Sequence, residues 1–296
     1  MGEIELYSSK FYAVCGLGGI ASCGITHAAM TPVDLVKCRL QTGAKYSSTL
    51  NGLSTIAKEE GLAGLTRGWA PTLVGYSFQG LCKFGFYEYF KRQYYLAAGE
   101  NADKYQSLLY ASASASAEFI ADIALCPWEA VKVRVQTSEG WAKGLSDGLP
   151  KFIKEEGVGG LYKGLVPLWS RQIPYTIMKF TAFEKVVTAI YAQLSKPKSE
   201  YNKMQQLGVS FLAGYIAGVF CAVVSHPADV VVSKLNKTPG GSFVSIAKEL
   251  GFAGCWSGLL PRIFMIGSLT ALQWLIYDTF KVYANLPTTG KVEEKK

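Results

Sequence analysis

The sequence predicts an all-α membrane protein in which six transmembrane helices form three homologous helix-loop-helix repeats. Three observations carry that expectation. A ten-residue stretch occurs three times, at 32–41, 127–136 and 227–236, so the 296 residues divide into three units, 1–100, 101–200 and 201–296. Apolar residues make up 49% of the chain and charged ones only 18%, with a positive mean hydropathy. Several runs with no charge or one charge reach the ~20 residues that a helix needs to cross a bilayer, which disfavours a soluble helical solenoid.

The first unit opens with 11–31, where His27 is the only titratable side chain. Pro32 follows, so a kink and a solvated helical end are expected there. A short amphipathic helix is expected at 49–60, stopped by Gly61, and a second crossing at 69–87 with Lys83 its only charge before Glu88. The second unit repeats this order. Its crossings are 105–126, which holds Glu118 and Asp122, and 165–183, which holds Arg171 and Lys179, with a short helix at 145–156 between them. In the third unit the crossings are 207–225 and 259–277, with a short helix at 242–250 and Arg262 the only charge in the last. Small residues sit four apart on the odd-numbered crossings, as Gly19 with Cys23 and Gly214 with Gly218, so close helix packing is expected there. Glu118 takes the equivalent place in the second unit, where an acid has no packing rationale.

The net charge of +8 admits nucleic acid, anionic lipid or an anionic solute as partner. No zinc-finger spacing or long lysine run favours nucleic acid. Seven cysteines without CxxC spacing indicate neither a disulfide framework nor structural zinc. No nucleophile elbow, phosphate-binding glycine loop or metal motif points to catalysis or a cofactor. Residues 1–10 carry two glutamates and no arginine, which suits neither a signal nor a transit peptide, so any organelle address is expected to be internal or already removed.

The repeated stretch has a defined grammar: a proline, an acid (Asp34, Glu129, Asp229), a first base (Lys37, Lys132, but Val232) and a second base (Arg39, Arg134, Lys234). It is followed by Glu60-Gly61 with Arg67-Gly68, Glu156-Gly157 with Lys163-Gly164, and Gly251 with 256–258. On these residues the chain resembles the mitochondrial carrier family over essentially its whole length. That resemblance implies a pseudo-three-fold bundle around a central cavity, with the short helices on the matrix side of the mitochondrial inner membrane. Thr26-His27, Glu118 to Asp122, 171–176 and 225–229 are similar to the family's phosphate-transporting branch. This implies import of inorganic phosphate with a proton by alternating access, in a monomer, with cardiolipin at the helix starts near Gly68 and Gly164. Trp256-Ser257-Gly258 lacks the base there, which puts a third lipid site in doubt.

Charges inside a membrane cost a few kcal/mol each and so default to functional candidates. Five residues before the acids Glu88, Glu184 and Asp278 stand Lys83, Lys179 and Gln273, at one depth in the three units. Two ammonium groups and an amide converging on the axis would suit a tetrahedral oxyanion. Gln79 adds a donor one turn away, and Arg171 with Gln172 falls at the family's substrate-contact pair. The alternative is that the lysines only neutralise nearby acids. Five residues before the prolines stand His27, Asp122 and Ala222, and Glu118 lies one turn from Asp122, which together suggest a proton path. A packing role for His27, and pairing of the two acids with Lys83, Lys179 or Arg171, remain open. Hydroxide exchange gives the same net transport.

Cys23 and His27 have the spacing for a soft metal ion; two ligands are too few for a site by themselves, and copper is kept as an additional transported solute among the alternatives. The resemblance also implies two gates. At the matrix gate Asp34 pairs with Lys132 and Asp229 with Lys37, leaving Glu129 opposite Val232. At the cytoplasmic gate Glu184 pairs with Lys281 and Asp278 with Lys91, leaving Glu88 opposite Val187. A dicarboxylate or nucleotide carrier, and a regulatory or pore-forming protein without turnover, are the alternatives.

Overall fold

The structure, a computed structural model, describes residues 4–41, 46–138, 140–194, 198–235 and 243–289. The first crossing is divided. Helix α1 (Ser9–Gly19) starts at Ser8, whose hydroxyl accepts from the Phe11 amide and so satisfies one of the open N–H groups. It passes through a π-helical turn, Ile20–Gly24, into α2 (Ile25–Ala29), and after a break at Met30 the chain continues as α3 (Thr31–Gln41). Pro32 thus falls in the first turn of α3, where a missing N–H costs nothing.

Two short helices follow, α4 (Thr49–Glu59) and α5 (Gly61–Leu65), and then the second crossing, α6 (Trp69–Ala98). The second unit comprises α7 (Gln106–Thr137), α8 (Leu145–Gly160) and α9 (Leu165–Gln193). The third comprises α10 (Lys203–Leu235), α11 (Phe243–Cys255) and α12 (Leu259–Tyr283). The expected break at the motif proline occurs only in the first unit. Pro127 and Pro227 lie inside continuous helices, because flanking helices and local adjustment accommodate the lost hydrogen bond. The short helices stop where expected: Gly61, Gly157 and Gly251 all take positive φ, between 62° and 72°, a region open to glycine without strain.

Among the described residues four helices are long and apolar enough to cross a membrane by length and composition: Ser9–Ala29, Gln106–Thr137, Lys203–Pro227 and Arg262–Tyr283. Helices α6 and α9, of 30 and 29 residues, have the length as well, and they are the two that carry Lys83, Arg171 and Lys179. The six long helices close into a ring, with α1 on α6, α6 on α7, α7 on α9, α9 on α10, α10 on α12 and α12 on α1.

Small residues set how closely the ring can draw in. A Cβ at Gly80 would stand 2.1 Å from the Gly19 carbonyl oxygen, and one at Gly19 equally close to that of Gly80. The same device joins α10 to α12, where Gly218 lies against the Cα of Gly267 and Gly214 against that of Ala271. Backbone cannot yield as a flexible side chain does. Gly80→Val is therefore expected to cost ~3 kcal/mol or more, read as a lower melting temperature of the purified protein in detergent. An unchanged melt would refute the contact.

A candidate transport site

The face of α6 that carries Thr72, Tyr76, Gln79 and Lys83 turns inward and lines a central cavity of about 210 Å³. The cavity also takes His27, Asp34 and Lys37 from the first unit, Arg171, Gln172, Tyr175 and Lys179 from the second, and Ser225, Arg262 and Gln273 from the third. Below Lys83 and Lys179 it is floored by an aromatic cluster. Phe84 meets Phe180 at 5.3 Å, Trp274 at 5.5 Å and Tyr277 at 4.2 Å, and Phe183 stacks on Trp274 at 3.6 Å. At its other end the cavity reaches Asp34 and Arg171, whose side chains are 32% and 49% exposed. The space is thus open at the proline-motif end and sealed at the other.

Within it the charges form two assemblies. In one, the Lys83 ammonium lies 2.9 Å from Glu118, and Gln79 donates to Glu118 at 2.9 Å and to Asp122 at 3.4 Å. Among the described residues the ammonium pairs with Glu118, while the second buried carboxylate, Asp122, is held through Gln79 and its Oδ2 has no hydrogen-bond partner. In the other, the Lys179 ammonium donates to the Gln273 carbonyl, while the Gln273 amide approaches Thr26 Oγ1 and His27 Nδ1, both at 3.3 Å. His27 Nδ1 is nearer the Cys23 carbonyl, at 2.9 Å, which assigns Nδ1 as the donor and Nε2 as the acceptor. The ring stacks on Tyr76 at 3.8 Å. Cys23 and His27 therefore meet through a main-chain carbonyl. Among the described residues no three His, Cys, Asp or Glu side chains assemble into a metal-holding group.

A family model described as "Mitochondrial carrier protein" matches three times, at residues 8–97, 103–193 and 203–286. The chain belongs to the mitochondrial carrier family. It is a multi-pass protein of the mitochondrial inner membrane. It is 60% identical over 293 residues to "Mitochondrial phosphate carrier protein 3, mitochondrial" of Arabidopsis thaliana, covering 98% of this chain and 78% of the relative. It is 59% identical over 283 residues to "Solute carrier family 25 member 3" of Homo sapiens, covering 95% and 78%. Against "Phosphate carrier protein, mitochondrial" of Caenorhabditis elegans the identity is 59% over 289 residues, covering 97% and 85%.

Two charged rings lie at opposite ends of the bundle, at the places where the resemblance leads one to expect a matrix ring and a cytoplasmic ring. At the matrix ring Asp34 pairs with Lys132 as expected, but Glu129 is not left facing a gap: it lies 3.3 Å from Lys132 on its own helix and 4.0 Å from Arg171. Lys37 lines the cavity mouth, and the side chain of Asp229, its expected partner, falls outside the described residues, as does that of Val232.

At the cytoplasmic ring the expected pairing is reversed. Lys91, not Lys281, bridges Glu184, at 3.0 Å, and Tyr87 donates to the same carboxylate at 3.1 Å. Lys281 reaches Glu88 at 3.7 Å, and Lys91 also holds Glu88 at 3.0 Å, so Glu88 is doubly paired. The cause is direction. Even-numbered crossings run antiparallel to odd ones, so a base three residues past its acid leans the other way around the bundle. Among the described residues the acid of this ring left without an ion-paired base is therefore Asp278.

Several cavity residues were missed from sequence. Tyr76 had a signal, since it shares a helical face with Gln79 and Lys83. Tyr175 and Ser225 lie in the stretches 171–176 and 225–229 that carry the resemblance, but only tertiary packing turns their side chains inward. Arg262, noted only as a charge near the start of the last crossing, donates to Ser225 Oγ at 2.9 Å.

On the matrix face, Arg39 donates twice to Glu60 and, through Nε, to the Gln136 carbonyl of the next unit at 3.2 Å, with Arg67 on the same glutamate at 3.1 Å. The second unit repeats this with Arg134, Lys163 and Glu156. The hydrogen bonds from Arg39 hold the Glu60 carboxyl below its usual range. A depressed carboxylate contributes stability that is present above its unfolded value and lost as pH falls through the folded one. The melting-temperature gap between the native carrier and Glu60→Gln is therefore expected to be full at pH 7 and to close on acidification below pH ~4. A gap that does not change with pH would refute it.

Proposed function

We propose that this carrier imports inorganic phosphate together with a proton, by alternating access, as a monomer. The observation that carries the reading is the pairing of Lys83 with Glu118, beside Asp122, inside a cavity that also holds the ammonium of Lys179. The names of its relatives support phosphate as the solute.

The chemistry follows from substitution. Phosphate entering the cavity meets Lys83, Lys179 and the amides of Gln79 and Gln273, with Arg171 and Gln172 at the mouth. A dianion or monoanion with several acceptor oxygens competes with Glu118 for the Lys83 ammonium. A carboxylate that loses its only ammonium in a dry interior is favoured to take up a proton. Binding of phosphate and of a proton are then one event, and His27 Nε2 supplies an acceptor on the opposite wall for the proton's passage.

A monovalent phosphate taken up with one proton adds no net charge to the cavity, which lets the bundle re-close without burying an extra charge. The two rings serve as the gates: the cytoplasmic one, Glu88, Lys91, Glu184, Asp278 and Lys281, is shut here, and the cavity opens toward the matrix ring of Asp34, Lys37, Glu129, Lys132 and Asp229. Helix starts near Gly68 and Gly164 offer free amides that suit the phosphates of cardiolipin.

The test is uptake by purified protein in cardiolipin-containing liposomes offered labelled phosphate, a dicarboxylate or a nucleotide. Phosphate uptake faster with an alkaline lumen is expected. Preferred uptake of either competitor would overturn the solute, and uptake of none would favour a protein without turnover.

A further inference from the structure

Asp278 is the acid that the cytoplasmic ring leaves without a base, because Val187 stands where its counterparts Lys91 and Lys281 stand in the other units. Yet Asp278 is fully buried. A carboxylate in that position needs partners, and it finds them outside the helices. The chain beyond α12 turns at Asn285, a non-glycine residue with φ of 56°, and runs back beneath the ring. There the Thr289 amide donates to Asp278 Oδ1 at 2.9 Å and the Thr289 hydroxyl to the same oxygen at 2.7 Å. Ser210 of α10 donates to the other oxygen.

The segment is anchored as well as threaded. Lys198, from the link between α9 and α10, donates to the Thr288 carbonyl at 2.6 Å, and Leu286 packs in the same apolar cluster as Val187 and Tyr277.

We infer that residues 285–289 form a strap that replaces the missing third ion pair of the cytoplasmic ring and holds that ring shut. The strap ties α12 to the α9–α10 link, so it spans the gap that Val187 leaves. It differs from an ion pair between helices in one respect: it is a separate segment that must be withdrawn before the third unit can swing outward. Opening toward the cytoplasm then requires two lysine bridges to part and one strap to release. The inference rests on the alternating-access reading, and the test is built so that the two can fail separately.

The full-length carrier is reconstituted and labelled with a membrane-impermeant maleimide from one side at a time, with peptide mass spectrometry reporting each cysteine. Cys15, wholly buried in the cluster under the ring, reports cytoplasmic opening, and Cys38 on α3 reports the matrix side. Thr289→Pro removes both of the strap's donors to Asp278 and leaves that of Ser210. It is expected to raise Cys15 labelling from the cytoplasmic side roughly tenfold, the shift that loss of hydrogen bonds to a charged group brings, and to lower Cys38 labelling from the matrix side. A loosened fold would raise both and would overturn the inference.

Adding Val187→Lys supplies the absent base, and both rates should return toward native values. Failure to return would also overturn it. Should Thr289→Pro not fold, Thr289→Val keeps the amide and is expected to move both rates the same way by a smaller factor; unmoved rates would again refute the strap. If native Cys15 is never labelled during phosphate turnover, alternating access itself fails; if it is labelled then but ignores Thr289→Pro, only the strap fails.

Discussion

Replacing Lys83 by alanine is expected to abolish phosphate uptake and to destabilise the carrier at the same time. Among the described residues Lys83 is the ammonium that pairs with Glu118, the separation is 2.9 Å, and both groups are buried. Removing one member of such a pair leaves an uncompensated charge in the interior, which costs ~3–5 kcal/mol. Two variants separate the functional from the structural loss. Lys83→Ala with Glu118→Gln removes both charges, so most of the stability is expected to return while uptake stays absent, because the anion has lost its ligand. Melting temperature in detergent and labelled phosphate uptake are the two measurements. Normal uptake by the double variant would place phosphate elsewhere in the cavity.

The second large effect is expected at Asp122. Its Oδ2 has no hydrogen-bond partner, and its carboxyl shares one Gln79 amide with Glu118. An isosteric Asp122→Asn keeps the shape and the contact to Gln79 but cannot exchange a proton. The expected result is a carrier that folds with near-native stability, still binds phosphate, and loses most of its response to an imposed pH gradient. His27→Gln is expected to give a similar but weaker phenotype, since His27 sits on the opposite wall, beside the Gln273 side chain that Lys179 holds. Uptake by Asp122→Asn that follows the pH gradient as well as native protein does would remove Asp122 from the coupling.

These residues show how far the sequence could be read. Repetition in threes made the fold legible, and counting back from equivalent acids put Lys83, Lys179 and Gln273 at one depth; all three do line the cavity. Breaks in the repeat were informative too. Glu118 in a slot meant for a small residue is the partner of Lys83, a pairing left open beforehand because sequence distance does not say which wall a side chain crosses to. What could not be read was direction around the ring. The same set of acids and bases supports two pairings, and the sense of the even-numbered helices decides between them, which is why Lys91 reaches Glu184 and not Asp278. Nor could the partners of Asp278 be found by pattern, since a threonine beyond the last helix carries no repeat and no periodicity. Polar groups that act through one tertiary contact leave no mark on spacing.

The coupling of one proton to one phosphate is the claim on which the rest depends, and voltage tests it. Monovalent phosphate moving with a proton carries no net charge, so the membrane potential does no work on it, whereas one uncompensated charge gains ~2.3 kcal/mol per 100 mV, roughly a fiftyfold accumulation ratio. Proteoliposomes are clamped with potassium and valinomycin at several voltages, with and without an alkaline lumen, and the steady accumulation of labelled phosphate is measured. Accumulation set by the pH difference and unmoved by voltage is the expected result. Accumulation that follows voltage and ignores pH would contradict it.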